Sequence, residues 1–328
     1  MQKTYDIIII WAWAAGLFTS IESPSFYSKL ILEKNDKPGI KVLLSGWERA
    51  NVSNIDITPE RDYFGQNKKA LISFFKRFNN YDIMSFFAEN WVNIVEEDRW
   101  RLILESWDSR ELLNILLKKS RENNTELKCS KSVKSIEKNW DIFEVKVWDD
   151  EKYFAKKVII TSWGKSFSQV WTTWDWYEWA KYFWHKIITP HRWLCWIVTK
   201  KDLSEISWVS TDLKVELFDK NEKKVIYEEF WPLLFTHFWV SGPIIFNLWV
   251  ALWEYLNKIK VKEEEYLKDN IFIKLTFDLE KTPKRVLKFF DLSEENKEIN
   301  LELQDYRSWK EAKVTWWWIN LDELTNNL

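Results

Sequence analysis

The chain opens on Tyr5-Asp6-Ile7-Ile8-Ile9-Ile10, which ends in an unbroken run of β-branched apolar residues. Such a run predicts a strand buried on both faces of a parallel sheet, because a strand with one wet face would alternate. Ala14 to Glu22 follows as a helix and stops at Ser23-Pro24, where proline disfavours further helix. Lys29-Leu30-Ile31-Leu32-Glu33 is a second strand, so Tyr5 to Glu33 reads as a βαβ unit. Helical spacing returns over Lys68–Phe78, Tyr81–Asn90 and Arg110–Arg121, the last with Leu112, Leu113, Leu116 and Leu117 along one side.

Between Glu126 and Thr161 the period switches to that of strands. Ser132–Lys138, Asp141–Val147 and Tyr153–Thr161 predict a β-meander, with joints at Asn139-Trp140 and Trp148-Asp149-Asp150. Beyond Pro190 short strands dominate, such as Leu213–Phe218, Lys224–Glu228 and Ile271–Phe277, and few long helices are expected. The pattern gives an α/β protein: a first domain over 1–190 with the meander at about 126–161, a β-rich domain over 191–305, and a return toward the first domain over 306–328. Neither an internal repeat nor a low-complexity linker interrupts it.

Composition changes this picture in one respect. The chain has 25 tryptophans and six glycines, whereas ordinary usage of about 7% predicts roughly 23 glycines at this length. The tryptophans stand where a backbone needs glycine: Trp11-Ala12-Trp13-Ala14-Ala15-Gly16, Ser45-Gly46-Trp47, Trp163-Gly164, Trp171-Thr172-Thr173-Trp174-Asp175-Trp176 and Trp316-Trp317-Trp318. Asn-Gly is a strong hairpin signal and Asn-Trp is none, so glycine at Trp140 and Trp148 would also make ordinary turns of the meander. UGA encodes tryptophan in some genetic codes and glycine in certain bacterial lineages. The expectation is that most of these residues are glycines read with the wrong table, with UGA at Trp11, Trp13, Trp47, Trp163, Trp171, Trp174, Trp176, Trp239 and Trp317, and genuine tryptophan best placed at Trp179 or Trp309.

Charge adds exclusions. With 48 basic and 50 acidic residues, interspersed, the net charge is −2 and no nucleic-acid footprint is expected. Cys129 and Cys195 fit no metal or redox spacing and point to a reducing compartment. Met1 leads straight into a strand, and Ile7–Ile10 is far too short to span a membrane. These features predict a cytoplasmic protein without membrane or metal; they leave its oligomeric state open.

Trp11-x-Trp13-x-x-Gly16 lies between a buried strand and a helix, the setting that G-x-G-x-x-G requires. In that motif the glycines serve a tight turn, close approach of a pyrophosphate, and helix–strand packing. Glu33 ends the second strand, where an acidic side chain accepts hydrogen bonds from a ribose.

Here the chain resembles a family. Trp11 to Leu17 looks like the GAGAAGL opening of bacterial FAD-dependent oxidoreductases of the BaiN/YhiN type. Lys41-Val42-Leu43-Leu44-Ser45-Gly46-Trp47-Glu48-Arg49-Ala50-Asn51-Val52-Ser53-Asn54 is similar to RKLLISGGGRCNLTN, and Ile159 to Gly164 resembles an ATGG strand end. Trp171 to Tyr177 looks like GSTGDGY, Leu234 to Pro243 like LFTHxGxSGP, and Ala312 to Trp318 like AxVTxGG. Six blocks in order span nearly the whole chain.

The resemblance implies a Rossmann-like FAD-binding domain of the glutathione-reductase kind with an inserted β-rich domain, FAD as cofactor and NAD(P)H as electron donor. It implies hydride passing through flavin to an electron-poor, enone-like small-molecule acceptor. The implied cofactor residues are Trp11, Trp13, Ala14, Ala15, Gly16, Glu33, Lys34, Lys41, Ser45, Gly46, Trp47, Arg49, Asn51, Ser162, Trp163, Gly164 and Asp175. No residue announces itself as the catalytic acid. His237 is a candidate proton donor or a residue that holds its turn; Arg49 either offsets negative charge on the cofactor or forms a surface salt bridge. His185 and His191 read as structural. Departures matter: Glu48 replaces a usual glycine and Ala50 a frequent cysteine, so no thiol chemistry carries over, and Thr282–Tyr306 is short for the insert's helical part. The family's closing GLYFAGEVLDVDGxxGGYN block is not matched before Leu328, so the chain is expected to lack its C-terminal portion. Two other readings stay open: a flavoprotein-like scaffold without activity, and, if the indoles are real, an aromatic-rich ligand-binding protein. Indoles of a binding platform would share one strand face, whereas these cluster in turns.

Overall fold

A computed structural model describes residues 3–45, 49–63, 68–162, 174–188, 196–261, 266 and 270–302. The chain divides into two compact units between Pro190 and His191.

In the first unit the apolar run forms β1 (Thr4–Ile10), hydrogen-bonded in parallel to β2 (Lys29–Leu32) on one side and β9 (Lys152–Ile160) on the other. β6 (Thr125–Lys128) extends the parallel part beyond β2, while β8 (Ile142–Val147) and β7 (Val133–Asn139) extend it antiparallel beyond β9. The sheet order is β6-β2-β1-β9-β8-β7, so the expected meander is one wing of the nucleotide-type sheet. Both faces of β1 are covered, as its unbroken apolar run predicts. Ile7 and Ile9 pack with Leu17 of α1 (Ala14–Glu22) and with Leu112, Leu113 and Leu116 of α6 (Ser109–Glu122). Ile8 and Ile10 pack with Val133, Ile136, Val145 and Val147, and with Trp179 of α7 (Asp175–Tyr182).

The C-terminus of α1 is capped from outside the helix. Lys29 is buried, and its Nζ donates to the carbonyls of Ser23 (3.3 Å) and Pro24 (3.0 Å). Asn123 Nδ2 donates to the carbonyls of Ser20, Ile21 and Ser23. These donors satisfy carbonyls that a helix end leaves open, and they tie α1 to β2 and α6. A short helix, α2 (Ile40–Leu43), begins at Gly39, whose φ of +75° is left-handed. A Cβ there would stand 2.2 Å from Leu113 Cδ1. Glycine is required at that position for both reasons.

The segment between α2 and α6 also holds α3 (Pro59–Asp62), α4 (Lys68–Phe75) and α5 (Asn80–Glu89). The helix α5 starts in a capping box, with Asn79 Oδ1 accepting from Tyr81 N and Asp82 Oδ2 from Asn79 N. A three-stranded sheet of β3 (Asn51–Asn54), β5 (Arg101–Leu104) and β4 (Ile94–Glu97) lies in the same segment. Its strands have four residues each, too few to leave a period-two signal in the sequence.

The second unit is a six-stranded antiparallel sheet, ordered β10 (Ile197–Val198), β13 (Trp239–Ser241), β12 (Lys224–Phe235), β11 (Ser210–Asp219), β14 (Ile271–Phe277) and β15 (Glu298–Glu302). Leu213, Val215, Leu217, Ile273 and Leu275 face a core closed by Ile244, Ile245, Leu248, Leu252 and Leu256 of α8 (Pro243–Ile259). At 17 residues α8 is the longest described helix, where few long helices were expected. Its first half is apolar almost all round, and periodicity alone cannot separate such a run from a buried strand. A shorter helix, α9 (Lys284–Phe290), joins the same core through Val286 and Phe290. On the β11–β12–β14–β15 sheet, Lys214 and Lys274 alternate with Glu216, Glu228 and Glu298 in a run of ion pairs.

Candidate cofactor site

The turn after β1 sets the site. Trp11 N donates to Leu32 O at 2.8 Å, and Trp11 then takes φ +88°, a conformation in which a bulky L-residue is an outlier. Trp13 is the N-cap of α1 but supplies no side-chain cap. Thr161, just beyond β9, donates its Oγ1 to the carbonyls of Ile10 (2.7 Å) and Trp11 (3.1 Å), holding the turn from the neighbouring strand. A Cβ on Gly16 would fall 2.0 Å from Trp11 O and 2.8 Å from Thr161 Oγ1. Gly16 is therefore fixed by helix–turn packing, the role of the third glycine in the motif.

Glu33 leaves the end of β2 fully buried. Its Oε2 accepts from Ala12 N–H at 2.8 Å, inside the turn, and its Oε1 accepts from Asn35 N (2.9 Å) and Asn35 Nδ2 (2.8 Å). Burial pushes the carboxyl pKa up, and these hydrogen bonds pull against it. The backbone fixes the same corner, since Glu33 N donates to Lys128 O and Lys131 N donates to Glu33 O. Asn35 was not among the residues singled out from sequence. The signal available was its place two residues after the acid, in the spacing of an Asx side chain that turns back on its neighbours. Beside this corner Cys129 has its thiol pushed up to about 11, by burial and then by the charges of Glu33 and Asp36. It is no thiolate at neutral pH.

Lys41 is half-buried in α2, with Nζ 4.8 Å from the Trp13 ring centroid and its pKa lowered to about 8 by burial. Ser45 Oγ donates to Val42 O, and Ala50 N donates to Ser45 O, closing the loop into β3. Arg49 forms a part-buried ion pair with Glu97 at 3.0 Å, and Glu97 in turn pairs with Arg101. Asn51 opens β3, Ala14 and Ala15 are exposed on the first turn of α1, Lys34 is half-buried beside Glu33, and Asp175 is exposed at the start of α7. Ser162 Oγ is buried with no hydrogen-bond partner among the described residues. Gly46, Trp47, Trp163 and Gly164 lie outside the described residues. His237 belongs to the second unit: it sits exposed in the turn from β12 to β13, its carbonyl accepting from Leu203 N at 2.6 Å.

The main chain, Gly16, Glu33 and the orphaned Ser162 hydroxyl fit the AMP and pyrophosphate end of FAD. The side chains at 11 and 13 do not. Trp11 and Trp13 are 4% and 3% exposed and pack edge to face at 4.5 Å in the turn where a pyrophosphate must approach the backbone. With two indoles there, no cofactor chemistry can be derived for the chain as written.

No described helix is long and apolar enough to cross a membrane. The sequence model of the HI0933-like protein Rossmann domain matches residues 5–325. The chain is 24% identical over 248 residues to the ribosomal RNA dihydrouridine synthase of Escherichia coli (strain K12), covering 75% of this chain and 61% of that one. It is 25% identical over 255 residues to the enzyme of the same name from Haemophilus influenzae, covering 76% and 62%. The chain thus spans about three-fifths of the length of these curated relatives. Among solved structures it is similar to the Diels-Alderase PyrE3 of pyrroindomycin biosynthesis, with 12% identity, a TM-score of 0.34, and coverage of 65% of this chain and 38% of that one. With residues 5–325 matched, the chain belongs to the HI0933-like Rossmann family, whose fold is that of FAD-binding oxidoreductases and which includes the BaiN/YhiN-like proteins.

Proposed function

We propose that the natural protein carries glycine at positions 11 and 13, binds FAD, and passes hydride from NAD(P)H to an electron-poor carbon–carbon double bond. The observation that carries this reading is Glu33: a fully buried carboxylate at the end of β2, tied by the Ala12 N–H to the phosphate turn, in the place where the dinucleotide motif sets its ribose-binding acid. Bound flavin would supply the two-electron carrier between donor and acceptor. The chain's own residues do the holding. Gly16 lets α1 close on the turn, so that its first N–H groups meet an anion. Lys41, relieved of the Trp13 indole, would bring its ammonium to the pyrophosphate, and there its proton affinity would rise again. Recoding of UGA as glycine accounts for the indoles at 11 and 13. A cytoplasmic setting, where NAD(P)H is available, goes with this chemistry.

The acceptor class is an alkene conjugated to a carbonyl. A second reading within that class is favoured by the relatives' names: the uracil C5–C6 double bond is conjugated to the C4 carbonyl, and its reduction in ribosomal RNA would yield dihydrouridine. The near-neutral charge favours a small acceptor. The test is oxidation of NADH and of NADPH by the purified protein with glycine at 11 and 13, given either a simple cyclic enone or ribosomal RNA free of dihydrouridine. Acceptor-dependent oxidation supports the reading and tells the acceptors apart. Flavin bound with neither nucleotide oxidised would instead favour the inactive scaffold.

A further inference from the structure

Fourteen non-glycine residues of the described chain have φ in the left-handed region, and seven of them are tryptophans. Trp11 and Trp140 were expected to be glycine from their turns. The other five, Trp91, Trp100, Trp107, Trp184 and Trp208, lie outside every turn motif read from the sequence, with φ between +56° and +64°. We propose that glycine is the native residue at these five positions, which are scaffold positions independent of any cofactor.

Two of them can be read bond by bond. After α5, Trp91 N donates to Ala88 O and Val92 N donates to Phe87 O. After α7, Trp184 N donates to Lys181 O and His185 N donates to Ala180 O. Both are paired 5→2 and 6→1 closures of a helix end, a motif whose left-handed residue is usually glycine because a Cβ is penalised there. Val92 and Phe87 are both buried, the apolar contact that accompanies such an end. The indoles earn nothing in return: Trp91 is 93% and Trp184 96% exposed. Trp100, which follows two residues of a 3-10 turn into β5, Trp107, just before the Asp108 N-cap of α6, and Trp208, whose N–H donates to Phe235 O, are each more than half exposed as well. Trp208 meets His237 only edge-on at 6.2 Å, and Trp107 has the Arg49 guanidinium 5.3 Å from its ring. Asn, Asp, Ser and Lys make up most of the other left-handed residues, and Asn and Asp tolerate the region where an indole does not.

Left-handed backbone marks these five positions. Trp179 is the contrast: it lies mid-helix in α7 at negative φ, buried against the sheet core, and is assigned as a true tryptophan.

Peptide mass spectrometry of the protein isolated from its natural source tests the assignment. Glycine in the peptides covering the five positions, with tryptophan at 179, is the expected result. Tryptophan at any of the five, or glycine at 179, overturns it. A second measurement needs no natural source. In the full chain, Trp91→Gly and Trp184→Gly should each raise the folding equilibrium constant roughly five- to thirtyfold, the cost of one left-handed L-residue. An unchanged or lowered constant for both overturns the proposal.

Discussion

Gly16 shows how much one hydrogen atom in place of a methyl group decides. Gly16→Ala would drive a Cβ into Trp11 O, which is main chain and cannot swing away. We predict a loss of about 1–3 kcal/mol in stability despite alanine's better helix propensity, read as a shift in the denaturant midpoint. At Glu33 the prediction concerns binding. With glycine at 11 and 13, Glu33→Ala should weaken FAD roughly tenfold to a hundredfold, since a hydrogen bond to a charged group contributes about 1.5–3 kcal/mol. Titration of flavin fluorescence reads this, and an unchanged dissociation constant would mean that Glu33 does not meet the ribose. Asp6 gives a pH-dependent prediction. Lys156 and the Ser28 N–H and hydroxyl hold its carboxyl down to about 2 from a normal 3.8. A depressed folded pKa stabilises above the unfolded value and is lost as pH falls through the folded one. Asp6→Asn should therefore cost about 1 kcal/mol at neutral pH after solvent screening, with the difference fading between about pH 4 and 2. Urea midpoints across that range check it.

At the scale of elements, Asp219 is the clearest single point of attachment. It ends β11 fully buried, with Oδ1 accepting from Asn221 N and Glu222 N, and Oδ2 accepting from Tyr255 OH and Tyr266 OH at 2.7 Å each. That one carboxylate ties the β11–β12 hairpin tip to α8. Asp219→Ala would orphan two hydroxyls and two amides, and we predict a destabilisation of about 3 kcal/mol; Tyr255→Phe should cost about 1 kcal/mol. Chemical denaturation of the two variants measures both. What the sequence made legible follows from element length and period. β1, α1 and β2 were readable because an unbroken Ile run and a proline stop leave few alternatives. The meander was readable from its alternation, although its joint at Trp140 carries φ +56° and none of the usual turn chemistry. The four-residue strands β3, β4 and β5 gave no period, and α8 was hidden by an apolar run without a polar face. Of the site, Gly16 and Glu33 were legible from spacing. Asn35 and Thr161 were not, because their roles rest on hydrogen bonds to groups brought close only by the fold.

At the scale of the molecule, the family fold and the written side chains disagree in one place. The sheet is that of an FAD-binding Rossmann family, while two indoles fill the turn after β1. The left-handed tryptophans spread through both units show that the disagreement is not confined to the site. A binding platform of real indoles would gather them on one strand face; here the exposed ones end helices and make turns. The most direct test of the account compares two forms of the protein over the full length its gene encodes, one as written and one with Trp11→Gly and Trp13→Gly, each titrated as apo-protein with FAD. The account predicts a saturable change in flavin fluorescence and a yellow protein only for the glycine form. A yellow protein that keeps tryptophan at 11 and 13, or a folded glycine form that takes up no FAD, would contradict it.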